Sequence, residues 1–238
     1  MHKGLLLILL AFLTSCTHTS LTPPDFERGL VKTKHLNFMT WERVKEPGKP
    51  LRVYLEDSGR PEPRKQMGLL LATKDPSTNI IYLARPCQYV KSPQCNAQVW
   101  DTGRFDSVVV QEMKEALLQL IKTYHSPYVE LVGYGDGAAM ALLLATRVRG
   151  VRRVITIGGI LDTSELTLDE NALNPAKEVE RLTLLPQLHF VGDKDTVAPY
   201  ENVKAFIRQI PNAVSTTIKM VSNTRHTDWE KVEFEKYY

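Results

Sequence analysis

The strongest constraint on this chain is an alternation of hydrophobic periods. Short β-rich apolar runs fall at 36–44, 51–55, 80–84, 128–132, 151–157, 184–191 and 216–221. Between them lie longer stretches that read as helices, at 65–73, 106–125, 138–147 and 200–210. In the longest, Val109, Met113, Leu117, Leu118 and Ile121 recur at helical spacing. Strands alternating with helices predict a mainly parallel sheet covered on both faces. Sites in such sheets form at the carboxyl ends of the strands. The segments to inspect are therefore 56–59, 85–89, 133–137, 192–199 and 223–229.

Composition sets the scale. The chain has 238 residues, 43% hydrophobic and 24% charged, which is ordinary for a globular protein. One α/β domain suits this length better than two small ones. The net charge of +3 is small. Its densest basic cluster, Arg147, Arg149, Arg152 and Arg153, straddles a turn and reads as a solvated helix end, so no nucleic-acid partner is expected.

The N-terminus reads as a secretory signal. Lys3 precedes an apolar run from Leu5 to Leu13 that is too short to span a bilayer. The run ends in Leu13-Thr14-Ser15-Cys16, which looks like a bacterial lipobox with Cys16 as the lipidated first mature residue. Acyl chains on one cysteine contribute about 0.8 kcal/mol per buried methylene, so membrane lipid is the expected partner through Cys16. Thr17 follows, and resemblance to Gram-negative lipoproteins implies the periplasmic face of the outer membrane. The expected organisation is a signal peptide over 1–15, a lipidated tether over 16–35 and one domain over 36–238. The other two cysteines, Cys87 and Cys95, form an even pair in an exported chain, where disulfides persist. No second Cys or His pair stands at metal-ligand spacing, so no metal is expected.

The chemistry concentrates where the run 128–132 enters Gly133-Tyr134-Gly135-Asp136-Gly137-Ala138 and then a helix. This is the layout of a nucleophile elbow, G-x-S-x-G, whose tip needs small residues two before and two after it. Gly133 and Gly137 meet that need around position 135. Taking Asp136 as the tip would put Tyr134 at a place too tight for it. The tip is therefore Gly135, and the hydroxyl is missing. A phosphate cradle is the competing reading. The segment lacks the Lys-Ser/Thr ending of a P-loop and the spacing of a dinucleotide fingerprint, so no cofactor is expected. Downstream, Asp195 follows an apolar strand as the candidate acid, with Asp193 in reserve. His226 follows the last strand as the candidate histidine. The order elbow, acid, histidine is that of α/β-hydrolases.

A closer resemblance accompanies that order. The segment Tyr82-Leu83-Ala84-Arg85-Pro86-Cys87-Gln88-Tyr89, with Cys95, Trp100, Arg104-Phe105, Asp162, Leu173-Asn174-Pro175, Gln187 to Gly192, His226 and Trp229, resembles bacterial exported α/β-hydrolase-like proteins. Such relatives look like carriers of a Gly-Tyr-Ser-Gly-Gly elbow and a Glu-Gly-Asp-Gly loop. The resemblance implies an α/β-hydrolase fold without a large cap. It also implies an oxyanion site built from Asp57, Ser58, Gly59 and Asp136. This chain departs from both motifs, with Gly135-Asp136 at the elbow and Glu56-Asp57-Ser58-Gly59 in the loop.

Two functional expectations follow. Losing the nucleophile of a serine hydrolase costs about six orders of magnitude in turnover. One expectation is accordingly a degenerate hydrolase that acts by binding a small, ester-like ligand. The other is a serine-type or water-directed hydrolase that uses Asp195 and His226 with a non-standard nucleophile, Ser58 and Asp136 being the possible substitutes.

Overall fold

The computed structural model describes residues 22–57, 66–164 and 166–234. The expected signal peptide, Cys16, Ser58 and Gly59 lie outside the described residues.

Eight strands form one sheet: β1 (Glu27–Lys32), β2 (Asn37–Val44), β3 (Leu51–Leu55), β4 (Asn79–Leu83), β5 (Val129–Tyr134), β6 (Val151–Ile157), β7 (Gln187–Gly192) and β8 (Thr216–Val221). Their spatial order is β1-β2-β4-β3-β5-β6-β7-β8. From β4 across to β8 all pairings are parallel, whereas β1 and β2 add an antiparallel edge. Among the described residues five α-helices complete the fold: α1 (Met67–Lys74), α2 (Ala97–Trp100), α3 (Ser107–Thr123), α4 (Asp136–Ala145) and α5 (Tyr200–Gln209). This is the mainly parallel, two-face-covered sheet that the alternating periods predict, in the α/β-hydrolase arrangement that the resemblance implies. Among the described residues, no helix is long and apolar enough to cross a membrane.

Period-2 alternation sends each central strand's side chains to two cores. Val53, Leu55, Ile81, Leu83, Val129 and Leu131 pack with α3, α4 and α5 on one face. Tyr54, Ile80, Tyr82, Val132, Ile155 and Phe190 pack with α1 and the C-terminal Trp229 and Phe234 on the other. Helix α4 is buried almost all round, as an apolar helix against the sheet must be. Helix α3 buries one stripe, Val109, Val110, Met113, Ala116, Leu117 and Leu120, together with Glu112.

One expectation needs correction. Residues 27–32, assigned to the tether, form strand β1 and pair in register with 37–42. The turn between the two strands is fixed by the buried Glu112 of α3. Its carboxylate accepts the N–H groups of His35 at 2.9 Å and Leu36 at 3.1 Å, and the hydroxyl of Thr33. The ordered domain therefore starts ahead of the expected boundary at residue 36. Among the described residues of 158–186 after β6, the helical turns are the 3₁₀ turns Pro175–Lys177 and Val179–Leu182, and none of them forms a large cap over the sheet.

Candidate functional site

The five segments singled out in the sequence all lie at the carboxyl ends of parallel strands, and their described residues converge there. Their centre is the turn from β5 into α4. Gly135 sits at its tip with φ 54 and ψ −124, a conformation costly for any side-chain-bearing residue. The flanking glycines are required by close approach. A Cβ at Gly133 would strike the backbone of Gly137 and Ala138, and one at Gly137 would strike the carbonyls of Leu55 and Glu56. In this fold the tip residue carries the nucleophile.

The acid–histidine pair forms as expected. Asp195 Oδ2 lies 2.9 Å from His226 Nδ1. The other oxygen, Oδ1, accepts the N–H groups of Val197 at 2.9 Å and Ala198 at 2.8 Å. Burial pushes the Asp195 pKa up, but these bonds and the imidazole outweigh it and hold the carboxyl below its usual range. An ionised carboxylate only accepts, so Nδ1 carries the proton and Nε2 is left to act as base. Burial likewise pulls the His226 pKa down. The bond to Asp195, its charge, and the charges of Asp57 and Asp136 together raise it above 6.5. The imidazole stacks on Tyr134, ring centroids 5.4 Å apart, and the Tyr134 hydroxyl donates to the His226 carbonyl at 3.0 Å. The reserve acid, Asp193, faces away and accepts the Thr224 N–H at 3.2 Å.

The tip itself is filled by Asp57. An ideal Cβ built on Gly135 would lie 2.6 Å from Asp57 Oδ1 and 3.0 Å from Oδ2. Oδ1 accepts the backbone N–H of Asp136 at 2.8 Å. That N–H, from the residue after the tip, is a standard oxyanion-hole donor of this fold. The expectation that Asp57 would help to build the oxyanion site thus needs correction. Its carboxylate occupies the site as a resident anion.

The loop that carries Asp57 is held from below. Glu56 is buried, and its Oε1 accepts the Asp57 N–H at 3.0 Å while Oε2 accepts Gly68 N–H at 3.0 Å and the Tyr82 hydroxyl at 3.1 Å. Burial, reinforced by the charge of Asp57, pushes the Glu56 carboxyl up to about 7.

Two arginines complete the site, and the sequence offered little to find them beyond the quoted Arg85 and Arg104-Phe105 motifs. Arg104 Nε donates to Asp136 Oδ2 at 2.7 Å, so Asp136 is tied into an ion pair. Arg85 is 2% exposed and gives Nη2 to the Arg104 carbonyl at 2.8 Å, while its Nη1 has no hydrogen-bond partner among the described residues. Burial, with Arg104 nearby, lowers the Arg85 pKa to about 10 despite the charges of Asp136 and Asp57. The segment after Arg85 is pinned by a disulfide between Cys87 and Cys95, with Cα atoms 5.6 Å apart. A cavity of about 140 Å³ lies between the segment after β6 and helix α5, lined in part by Gly159, Leu161, Ala198, Val203 and Phe206.

Sheet order, elbow and Asp–His pair together define an α/β-hydrolase fold. Solved structures agree. A serine hydrolase homologue from Coxiella burnetii aligns with a TM-score of 0.64 at 17% identity, covering 88% of this chain and 93% of its own. An esterase of Pyrococcus furiosus aligns at 0.66 and 14% identity over 90% and 87%. Est1E from Butyrivibrio proteoclasticus aligns at 0.61 and 10% identity over 88% and 95%. No curated protein matches the chain. The serine hydrolase (FSH1) family model matches residues 85–226, from the buried arginine to the site histidine. The chain belongs to that family.

Proposed function

We propose that this protein is a lipid-anchored hydrolase of the bacterial envelope that has left serine chemistry behind and uses Asp195 and His226 with a non-serine partner. The observation that carries the reading is the Asp195–His226 bond of 2.9 Å, kept beside a tip with no hydroxyl. An exposed surface histidine needs no such partner. Here the imidazole is oriented by a carboxylate that takes two further backbone donors, which is how a general base is held in one tautomer.

Serine-type acyl transfer fits poorly for two physical reasons. Glycine has no nucleophile and forms no acyl-enzyme. The Asp136 N–H that would stabilise a tetrahedral oxyanion already holds the Asp57 carboxylate, and a second negative charge beside the first would be repelled. The same contact supports the second reading, a pocket that binds without turnover. The lipobox at Cys16 and the run before it support export and anchoring.

The test is hydrolysis of 4-nitrophenyl acetate by the mature protein and by His226→Ala, alongside fluorophosphonate labelling. The reading expects a weak rate above buffer that falls at least about tenfold in His226→Ala, and no fluorophosphonate adduct. A rate untouched by His226→Ala would leave only the binding reading. An adduct on a serine would restore serine chemistry.

A further inference from the structure

We infer that Asp57 is the nucleophile of this site, and that it attacks a saturated carbon bearing a leaving group that departs as an anion, as in a short alkyl halide. The inference rests on the reading of Asp195 and His226 as a water-activating pair and assigns their missing partner.

Three observations carry it. The Asp57 carboxylate lies where a side chain on the elbow tip would begin, within 2.6–3.0 Å of the ideal Cβ of residue 135. Its Oδ1 is already seated on the Asp136 N–H at 2.8 Å. Its loop is fixed from beneath by Glu56, which accepts the Asp57 N–H. A carboxylate so placed differs from a serine in what it can attack. At an acyl carbon it would have to form an anhydride through an oxyanion, and the donor for that oxyanion is in use. At a saturated carbon the displacement is in line and needs no oxyanion hole.

The two steps balance. Asp57 Oδ2 forms a bond to the substrate carbon while the carbon–halogen bond breaks, and halide leaves with the electron pair. The product is an alkyl ester of Asp57 whose carbonyl oxygen, Oδ1, remains on the Asp136 N–H. His226 Nε2 then takes a proton from water, and the hydroxide attacks the ester carbon. The tetrahedral oxyanion now forms at Oδ1, where its donor waits. Collapse releases the alcohol, which takes the proton back from His226. Asp57 is freed as the acid and loses its proton to solvent. The net reaction turns alkyl halide and water into alcohol, halide and a proton.

The experiment uses the mature protein with 1-bromobutane in water enriched in oxygen-18. Bromide release is followed, and the Asp57 peptide is examined by mass spectrometry. Repeated turnover should place oxygen-18 in the Asp57 carboxyl group, and the first turnover should yield butanol carrying unlabelled oxygen. His226→Ala should accumulate a butyl ester on Asp57, up to one per chain. Asp57→Asn should lose bromide release by about 10³-fold or more, with melting measured in parallel. The isotope result on the wild type stands even where Asp57→Asn fails to fold. If bromide release depends on His226 but label enters butanol directly and never Asp57, Asp57 is not the nucleophile and the water-directed reading survives. If neither protein releases bromide or gains an ester at Asp57, the inference is overturned, while the ester assay on His226→Ala still judges the reading beneath it.

Discussion

Replacing Gly135 with serine tests the contact on which the site turns. The new Cβ would lie 2.6 Å from Asp57 Oδ1 and 2.7 Å from its Cγ, nearly 1 Å inside van der Waals contact. Asp57 must therefore retreat and give up the Asp136 N–H. A hydrogen bond to a charged group contributes about 1.5–3 kcal/mol. Holding a serine at φ 54 costs about 1–3 kcal/mol more. Gly135→Ser should thus lose roughly 2.5–6 kcal/mol, read as a fall in Tm of about 2–4 °C per kcal/mol. Asp57→Gly removes the carboxylate first, so serine at 135 then meets only the backbone strain. The double variant should be more stable than the sum of the single losses predicts, by about 1.5–3 kcal/mol. It should also regain a hydroxyl beside His226 with the Asp136 donor vacant, and so take a fluorophosphonate label that Gly135→Ser alone takes weakly. Urea or thermal unfolding of the four proteins measures the coupling. Additivity within about 0.5 kcal/mol would refute the claim that Asp57 fills the seat of residue 135.

Cys16→Ala should move the protein from the membrane fraction to the soluble periplasm or medium, and unchanged partitioning would defeat the lipid anchor. Cys87 and Cys95 should resist thiol probes until reduced, and replacing both with alanine should lower stability by about 2–3 kcal/mol in a denaturant titration. The folded pKa of His226 is raised, so its contribution to stability should be complete below pH 6.5 and lost as pH climbs through the higher folded value. NMR titration of the ring should place the midpoint above 6.5, and the stability gap between wild type and His226→Gln should narrow over the same interval. A midpoint at or below 6.5 would count against the coupling to Asp195, Asp57 and Asp136.

Much of the fold was legible because burial writes itself into period. Strand β4 is an apolar run, and β5 and β6 become buried toward their carboxyl ends, as a sheet covered on both faces demands. Strand β1 escaped because it is an edge. Only Val31 of Glu27–Lys32 is buried, so its sequence carries no alternation to read. The Asp195–His226 pair was legible from chain order. The position of Asp57 was not, since it meets Asp136 across 79 residues through a loop path that no local spacing encodes. What the sequence did hold was a pair of departures, an added side chain at 57 and a lost one at 135. Only the coordinates show that the first fills the space vacated by the second.

That exchange also changes when His226 is ready to act. Against the pull of burial, the charges of Asp195, Asp57 and Asp136 together draw the His226 pKa up. A raised pKa favours the protonated ring, which has no lone pair to offer a proton, while Asp57 is ionised. Alkylating Asp57 removes one negative charge within reach of the imidazole. The ring then gives up its proton more readily, at the step where a neutral Nε2 must take one from water. The two halves of the proposed cycle thus ask opposite things of the site, a charged carboxylate first and a neutral imidazole second, and forming the ester supplies the change. Asp57→Asn imitates the ester in charge and nearly in shape. It should lower the His226 midpoint relative to wild type, whereas a carboxylate that merely plugged a disused hole would have no turnover for that shift to serve. The comparison that matters is between the pH dependence of ester breakdown and that of bromide release in one preparation. In a single turnover, bromide release needs the charged carboxylate and should persist to lower pH than ester breakdown, which needs the neutral imidazole; a common midpoint for both steps would show that Asp57 and His226 do not work in sequence.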